Sequence, residues 1–297
     1  MHLTGGPMDN LRGIILVVVA MAAFTIEDTF IKRLSQDMPV GQILIVLGFG
    51  CACVFAGVAR LSGHRILTRA AWRPAFLVRA LCEALAAIFF ATALSRVDIS
   101  IVASVFQTTP LAITMGAALF LGEDVGWRRW TAIILGFSGV LLIIRPGLDG
   151  FEPQALFVLV SVVMVATRDL ITRRIDITVP STVISFQGFA IVVPAGLILL
   201  AITGDAPVAP KTLGWAMLAC AVLFGAAAYY CIVTAMRIGD ASVVTPFRYT
   251  RLLFSLLVGI VIFSERPDVL TLLGAALIIA TGLYTFLRER RLARAAP

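Results

Sequence analysis

Ten stretches of predominantly apolar residues, each closed by charged residues or by Gly and Pro, lie near 12–34, 40–59, 74–94, 99–121, 128–144, 154–172, 180–202, 212–236, 242–263 and 269–287. An α-helix rises 1.5 Å per residue, so about 20 apolar residues cross the roughly 30 Å hydrocarbon core of a bilayer. The pattern therefore predicts an all-α polytopic membrane protein of ten transmembrane helices. The first stretch is about two dozen residues long and lacks a small-residue cleavage site, which reads as a retained helix rather than a cleaved leader.

The second half of the chain repeats the first about 141 to 142 positions later. Thr25-Ile-Glu-Asp-Thr-Phe-Ile-Lys-Arg-Leu34 aligns with Ala166-Thr-Arg-Asp-Leu-Ile-Thr-Arg-Arg-Ile175, and Ala93, Asp98, Ser100, Val102 and Glu123 align with Ala235, Asp240, Ser242, Val244 and Glu265. Residues 1–148 and 149–297 read as two five-helix repeats of one transport domain. Five spans per half is an odd number, so equivalent helices cross the membrane in opposite directions and the repeat is inverted. With a cytoplasmic N-terminus, fourteen of the 24 Lys and Arg residues fall on the inner side and six on the outer; the remaining four, Arg79, Arg168, Arg248 and Arg251, lie within helices. That bias places both termini in the cytoplasm.

Composition narrows the function classes. Only 14% of the residues are charged and 60% are hydrophobic, against about a quarter charged in a soluble domain. Ten spans leave no length for a soluble domain, so function lies within the membrane. The net charge of +7 sits at helix ends without a basic, aromatic-interleaved patch, which argues against nucleic acid. Cys51, Cys53, Cys82, Cys220 and Cys231 all lie in apolar runs with no C-x-x-C pair, so neither a disulfide nor a metal site is expected, and no cofactor. There is no P-loop.

Ala93-Leu-Ser-Arg-Val-Asp-Ile-Ser100, Leu121-Gly-Glu-Asp124, Thr245-Pro-Phe-Arg-Tyr-Thr-Arg251 and Phe263-Ser-Glu-Arg-Pro267 resemble the drug/metabolite transporter superfamily, specifically its ten-helix EamA-type carriers. The likeness covers nearly the whole chain and implies two inverted five-helix repeats. The second-half pattern is similar to the branch that includes S-adenosylmethionine and riboflavin uptake carriers. One scaffold in this superfamily carries many metabolites, so the resemblance implies transport and leaves the substrate open.

An ionisable group at membrane depth costs several kcal/mol unless it faces a cavity or a partner, so each one is a candidate site. Arg248 and Arg251 share a helix face near Tyr249, with Pro246 before them. The equivalent stretch of the fourth span is Phe106-Gln-Thr-Thr-Pro110, so Gln107 and Thr108 join the candidate substrate-binding set, suited to a carboxylate-bearing or zwitterionic molecule. The alternative is that one Arg pairs with Glu83 while the other reaches the headgroups. Glu83 itself has four readings: a proton-linked carboxylate, a partner for those arginines, a receptor for a substrate ammonium, or an i, i+4 pair with Arg79.

Glu27, Asp28 and Lys32 near the outer end of the first span, and Arg168, Asp169 and Arg173 near the inner end of the sixth, read either as paired gates or coupling residues, or as helix-end anchors. Ala112-x-x-x-Gly116 and Ser255-x-x-x-Gly259 permit close helix packing, within the chain or in a homodimer.

The expected function is a secondary transporter, permease or exchanger, moving a small polar organic molecule across a bacterial cytoplasmic membrane by rocking the repeats. Two rivals are a flippase for a lipid-linked metabolite and an intramembrane enzyme. The enzyme would need a nucleophile, base or metal at depth, yet His2 and His64 both lie outside the apolar stretches, and neither H-E-x-x-H nor G-x-S-x-G occurs.

Overall fold

A computed structural model describes residues 7–66, 72–123, 125–148, 151–174, 179–238 and 241–295, all of it helix or connection, with no strand among the described residues. The sequence-predicted Asp124 and Asp240 and the side chain of Arg173 lie outside this description. In chain order the helices are α1 (Pro7–Leu34), α2 (Val40–Leu61), α3 (Pro74–Arg96), α4 (Ile99–Phe106), α5 (Thr109–Leu121), α6 (Trp127–Ile144) and α7 (Ala155–Arg174). They continue with α8 (Ser181–Thr203), α9 (Thr212–Ile238), α10 (Ala241–Val244), a 3₁₀ turn (Thr245–Tyr249), α11 (Thr250–Ile262) and α12 (Val269–Ala295). Taken with their breaks, they make ten spans long and apolar enough to cross a membrane.

The fourth and ninth spans differ from the sequence reading, which has each as one continuous helix. The fourth breaks between α4 and α5 at Gln107 and Thr108, and the ninth breaks at the 3₁₀ turn before Thr250. Pro110 stands at the second position of α5 and Pro246 at the second position of the 3₁₀ turn, and proline has no N–H to donate to the preceding turn. An offset of 142 carries Gln107-Thr108 onto Tyr249-Thr250, so the breaks are repeat-equivalent.

The compact units of the fold are not the sequence halves. One unit contains Met1–Thr25, Asp98–Pro153 and Ala227–Pro297; the other contains Ile26–Val97 and Gln154–Ala226. Each draws helices from both repeats, and α1 and α9 contribute a segment to each.

Within the second unit α2 packs against its repeat equivalent α8, and α3 packs against α7 and α8. A Cβ on Gly41 would lie 2.6 Å from the Gly196 carbonyl oxygen, and one on Gly196 the same distance from the Gly41 oxygen. Farther along the seam Gly48 faces Phe189, so the helices run antiparallel, as inversion of equivalent helices requires. Phe55 stacks on Phe189 with ring centroids 5.6 Å apart. Gln42 clamps the loop after α8, its amide donating to the Val208 carbonyl (2.7 Å) and accepting from the Val208 N–H (2.8 Å). The Ser161 hydroxyl donates to the Ala86 carbonyl, joining α7 to α3.

Within the first unit α6 and α12, again repeat equivalents, cross at Gly139 and Gly274, where each added Cβ would come within 2.8 Å or less of the other's carbonyl oxygen. Lipid tails are as apolar as Leu, so membrane helices gain affinity from such close backbone approach. The small stripe of α11 is buried here at Ser255 and Gly259, as is that of α5 at Ala112 and Gly116, while Leu253, Leu257, Ile260 and Val261 on α11 are exposed. Those small faces are therefore occupied by packing within the chain, and the large apolar side chains face outward, as a bilayer solvent requires.

At the end of α6 Arg145 takes a left-handed conformation (φ 52°) and donates to the carboxylate of Asp268, just before α12. That bond and the Thr271 N–H (2.8 Å) hold the Asp268 carboxyl down at about 2.

Gly196→Ala should lower the thermal midpoint of the detergent-solubilised protein, since overpacking costs about 1–3 kcal/mol. Gly57→Ala, where an added Cβ meets nothing within 4 Å, should leave it unchanged. Equal midpoints for the two variants would refute the backbone seam.

Candidate functional site

The breaks in the fourth and ninth spans meet inside the first unit. A broken helix frees backbone carbonyls at a depth where water cannot satisfy them. Here side chains do so. The Thr108 hydroxyl donates to the Val105 carbonyl and the Thr109 hydroxyl to the Phe106 carbonyl, both at 2.6 Å. Across the repeat, the Thr250 hydroxyl donates to the Phe247 carbonyl, also at 2.6 Å. The two breaks are joined directly, because the Gln107 side-chain amide donates to the Arg248 carbonyl at 2.8 Å.

Around this junction the side chains take distinct positions. Arg248 is exposed, whereas Arg251, one turn on, is partly buried. The Arg251 guanidinium lies over two rings, 5.1 Å from the centroid of Phe24 on α1 and 5.4 Å from that of Phe106 at the end of α4. A cation held against aromatic faces is stabilised by their quadrupoles, more so where water is scarce. Tyr249 seats its hydroxyl on the backbone of Gly282, where no other residue leaves room. On α1 the Thr25 hydroxyl donates to the Met21 carbonyl and comes within 3.5 Å of the buried Ser255 hydroxyl on α11. Gln107, Thr108, Arg248, Tyr249 and Arg251 are thus brought together in one unit, the buried Gln107 and Thr108 bonded to carbonyls of the breaks and Arg251 lying against aromatic faces.

The remaining sequence candidates lie in the second unit. Glu83 on α3 accepts from Arg168 on α7 at 2.8 Å and has Arg79 at 3.6 Å, the i, i+4 pair. Arg168 also binds Asp169 (2.8 Å), and Arg79 Nε donates to the Thr172 hydroxyl (3.0 Å). Two guanidinium groups and two carboxylates form one neutral network. Gly188 on α8 lies beside it, 3.5 Å separating its would-be Cβ from Glu83. Lys32 donates to the Val97 carbonyl at the end of α3 (2.6 Å), and Asp28 is buried. The Glu27 carboxylate packs on Gly225 of α9, an added Cβ there falling 2.5 Å from its oxygen.

Sequence reasoning missed three of these contacts. The Arg168–Glu83 pair spans 85 residues; the sequence offered Arg79, Arg248 or Arg251 as the partner of Glu83, and of these only Arg79 stands beside it. Phe24 and Phe106 look like ordinary apolar positions. The Glu27 slot had a signal in principle, a glycine at 225 in an otherwise bulky stretch, but nothing in the sequence links that glycine to α1.

Comparison with known proteins identifies the family. The description "EamA-like transporter family" matches the chain twice, over residues 11–145 and 153–287. A riboflavin transporter of Rhizobium johnstonii is 30% identical over 289 residues, which is 96% of this chain and 94% of the relative. An S-adenosylmethionine uptake transporter of Rickettsia conorii is 28% identical over 182 residues; that match spans 61% of either chain, less than two thirds of the relative's length. A solved crystal structure shares the fold with a TM-score of 0.65 at 18% identity, covering 96% of this chain and 98% of its own. Two matched repeats, ten apolar spans and equivalent helices packed antiparallel make this chain an integral membrane protein of the EamA-like transporter family, a small-metabolite permease of the drug/metabolite transporter superfamily.

Proposed function

We propose that the chain is an inner-membrane secondary carrier, with both termini cytoplasmic, for a polar metabolite built around a planar nitrogen heterocycle. The observation that carries this reading is the junction of the two breaks. It presents amide, hydroxyl and guanidinium groups beside the rings of Phe24 and Phe106 at mid-span. S-adenosylmethionine and riboflavin, the molecules named for the relatives, both combine a flat nitrogen heterocycle with a hydroxylated five-carbon unit, a ribose ring in the first and an open ribityl chain in the second. A flat ring stacks on Phe or guanidinium faces, and the polar chain or a carboxylate takes the Arg and Gln donors. The two matches to a transporter family support a carrier over an enzyme.

The moving bodies of the cycle are the two compact units rather than the two sequence halves. Separating the halves would open the Gly41–Gly196 and Gly139–Gly274 seams, where backbones are in contact. Within the second unit, the Arg79–Glu83–Arg168–Asp169 network acts as a charge latch on α3 and α7, and Glu27, Asp28 and Lys32 form the counterpart set on α1. Arg173, whose side chain lies outside the description, belongs to the inner set by its spacing from Asp169.

Uptake of labelled riboflavin and S-adenosylmethionine into proteoliposomes tests the substrate. Saturable uptake of at least one is expected, falling tenfold or more (about 1.4 kcal/mol) in Gln107→Leu and Arg251→Ala but not in the exposed control Gln36→Ala. Transport of neither, or of a lipid-linked molecule alone, would overturn the assignment. A double-mutant cycle tests the latch: Glu83→Gln and Arg168→Gln should each destabilise by about 2 kcal/mol, since each leaves the partly buried network with an unbalanced charge. The double variant, which removes one charge of each sign, should cost clearly less than their sum; additive effects would contradict a coupled network.

A further inference from the structure

The turns that close the fourth and ninth spans share two backbone features. Gly122 (φ 69°) and Ser264 (φ 55°) are both left-handed, and both precede a glutamate. The amides of Glu123 and Glu265 each donate six residues back, to the carbonyls of Ala117 (3.3 Å) and Gly259 (2.9 Å). An offset of 142 carries every one of these positions onto its partner. Ser264 has a Cβ, and a side-chain-bearing residue enters this region only when its surroundings impose it.

In the second repeat that geometry has a clear product. The Glu265 carboxylate is buried and accepts from the Ile99 N–H (2.7 Å), the Ser100 N–H (3.1 Å) and the Ser100 hydroxyl (2.7 Å). These are the first residues of α4, where the amides of the opening turn have no carbonyl to pair with inside the helix. The carboxylate also meets the positive end of the helix dipole. Gly259 leaves the space it needs, since a Cβ there would collide with it, whereas the first repeat has Ala117 at this position and its Glu123 is exposed. A loop of the second repeat thus caps a broken helix of the first.

The counterparts of Ile99 and Ser100 at the same offset are Ala241 and Ser242, the first residues of α10, and all of them belong to the same compact unit as Glu123. We infer that Glu123 caps the backbone amides at the start of α10 as Glu265 caps those of α4. Each repeat's loop carboxylate then holds the amino end of the other repeat's broken helix, one at each membrane face. Both are positioning residues for the junction of Gln107 and Arg248, since α4 ends at Phe106 and α10 leads into the turn that contains Arg248. A further consequence is that neither helix start is open to a substrate anion, which leaves anion recognition to the arginines.

Hydrogen exchange of the full-length protein in detergent, followed by mass spectrometry, reads the two caps separately. Glu265→Ala should accelerate exchange in segment 99–106 with 241–248 unchanged, and Glu123→Ala should do the reverse, by about fivefold for an ordinary cap. Glu123→Gln keeps an acceptor but loses the charge, so it should give a smaller acceleration in 241–248 alone, and it stands in if the alanine variant does not fold. Unchanged exchange in 241–248 on Glu123 substitution, or equal loosening of both segments, would overturn the inference.

Discussion

The structure depends on how two interrupted helices are tolerated at membrane depth. Hydrocarbon offers no hydrogen bonds, so every backbone group released by a break must find a partner in the protein. The Gln107 amide on the Arg248 carbonyl, with the hydroxyls of Thr108, Thr109 and Thr250 on carbonyls three residues back, meets that demand. In the proposed reading, the arginines beside these breaks, Arg248 and Arg251, are the groups that meet the solute.

The inverted repeat explains why the breaks coincide. One shared pattern, a short helix, a polar interruption, a longer helix and a left-handed residue before glutamate, occurs once in each repeat. The packing is likewise shared: α2 lies on α8 and α6 on α12, each pair brought to backbone contact by glycines. The compact units therefore mix the repeats, and strength lies between equivalent helices rather than within either half of the sequence.

Hydropathy made the spans legible, because solvent selects for apolar length before any tertiary contact exists. The spans end within a few residues of their expected positions; the exceptions to regularity are the breaks. Pro110 and Pro246 were visible signals, but a proline near the middle of a span kinks, breaks or is absorbed depending on its neighbours, and the neighbours come from the other repeat. The candidate site was legible as a set of residue types. Gln107, Thr108, Arg248, Tyr249 and Arg251 were identifiable as polar groups at depth, whereas the rings around Arg251 and the reach of Arg168 to Glu83 depend on helix rotation and crossing, which periodicity does not encode. The Glu265 cap was half legible. The repeated glutamate could be read, but its partners at Ile99 and Ser100 lie in the other repeat.

The central claim is that the joined breaks, rather than the ion network of α3 and α7, hold the transported molecule. Structure determination of the protein with its transported metabolite bound tests this most directly. The account predicts ligand density in contact with Gln107 and with Arg248 or Arg251; a ligand held by Arg79, Glu83 and Arg168 with the junction unengaged would contradict it.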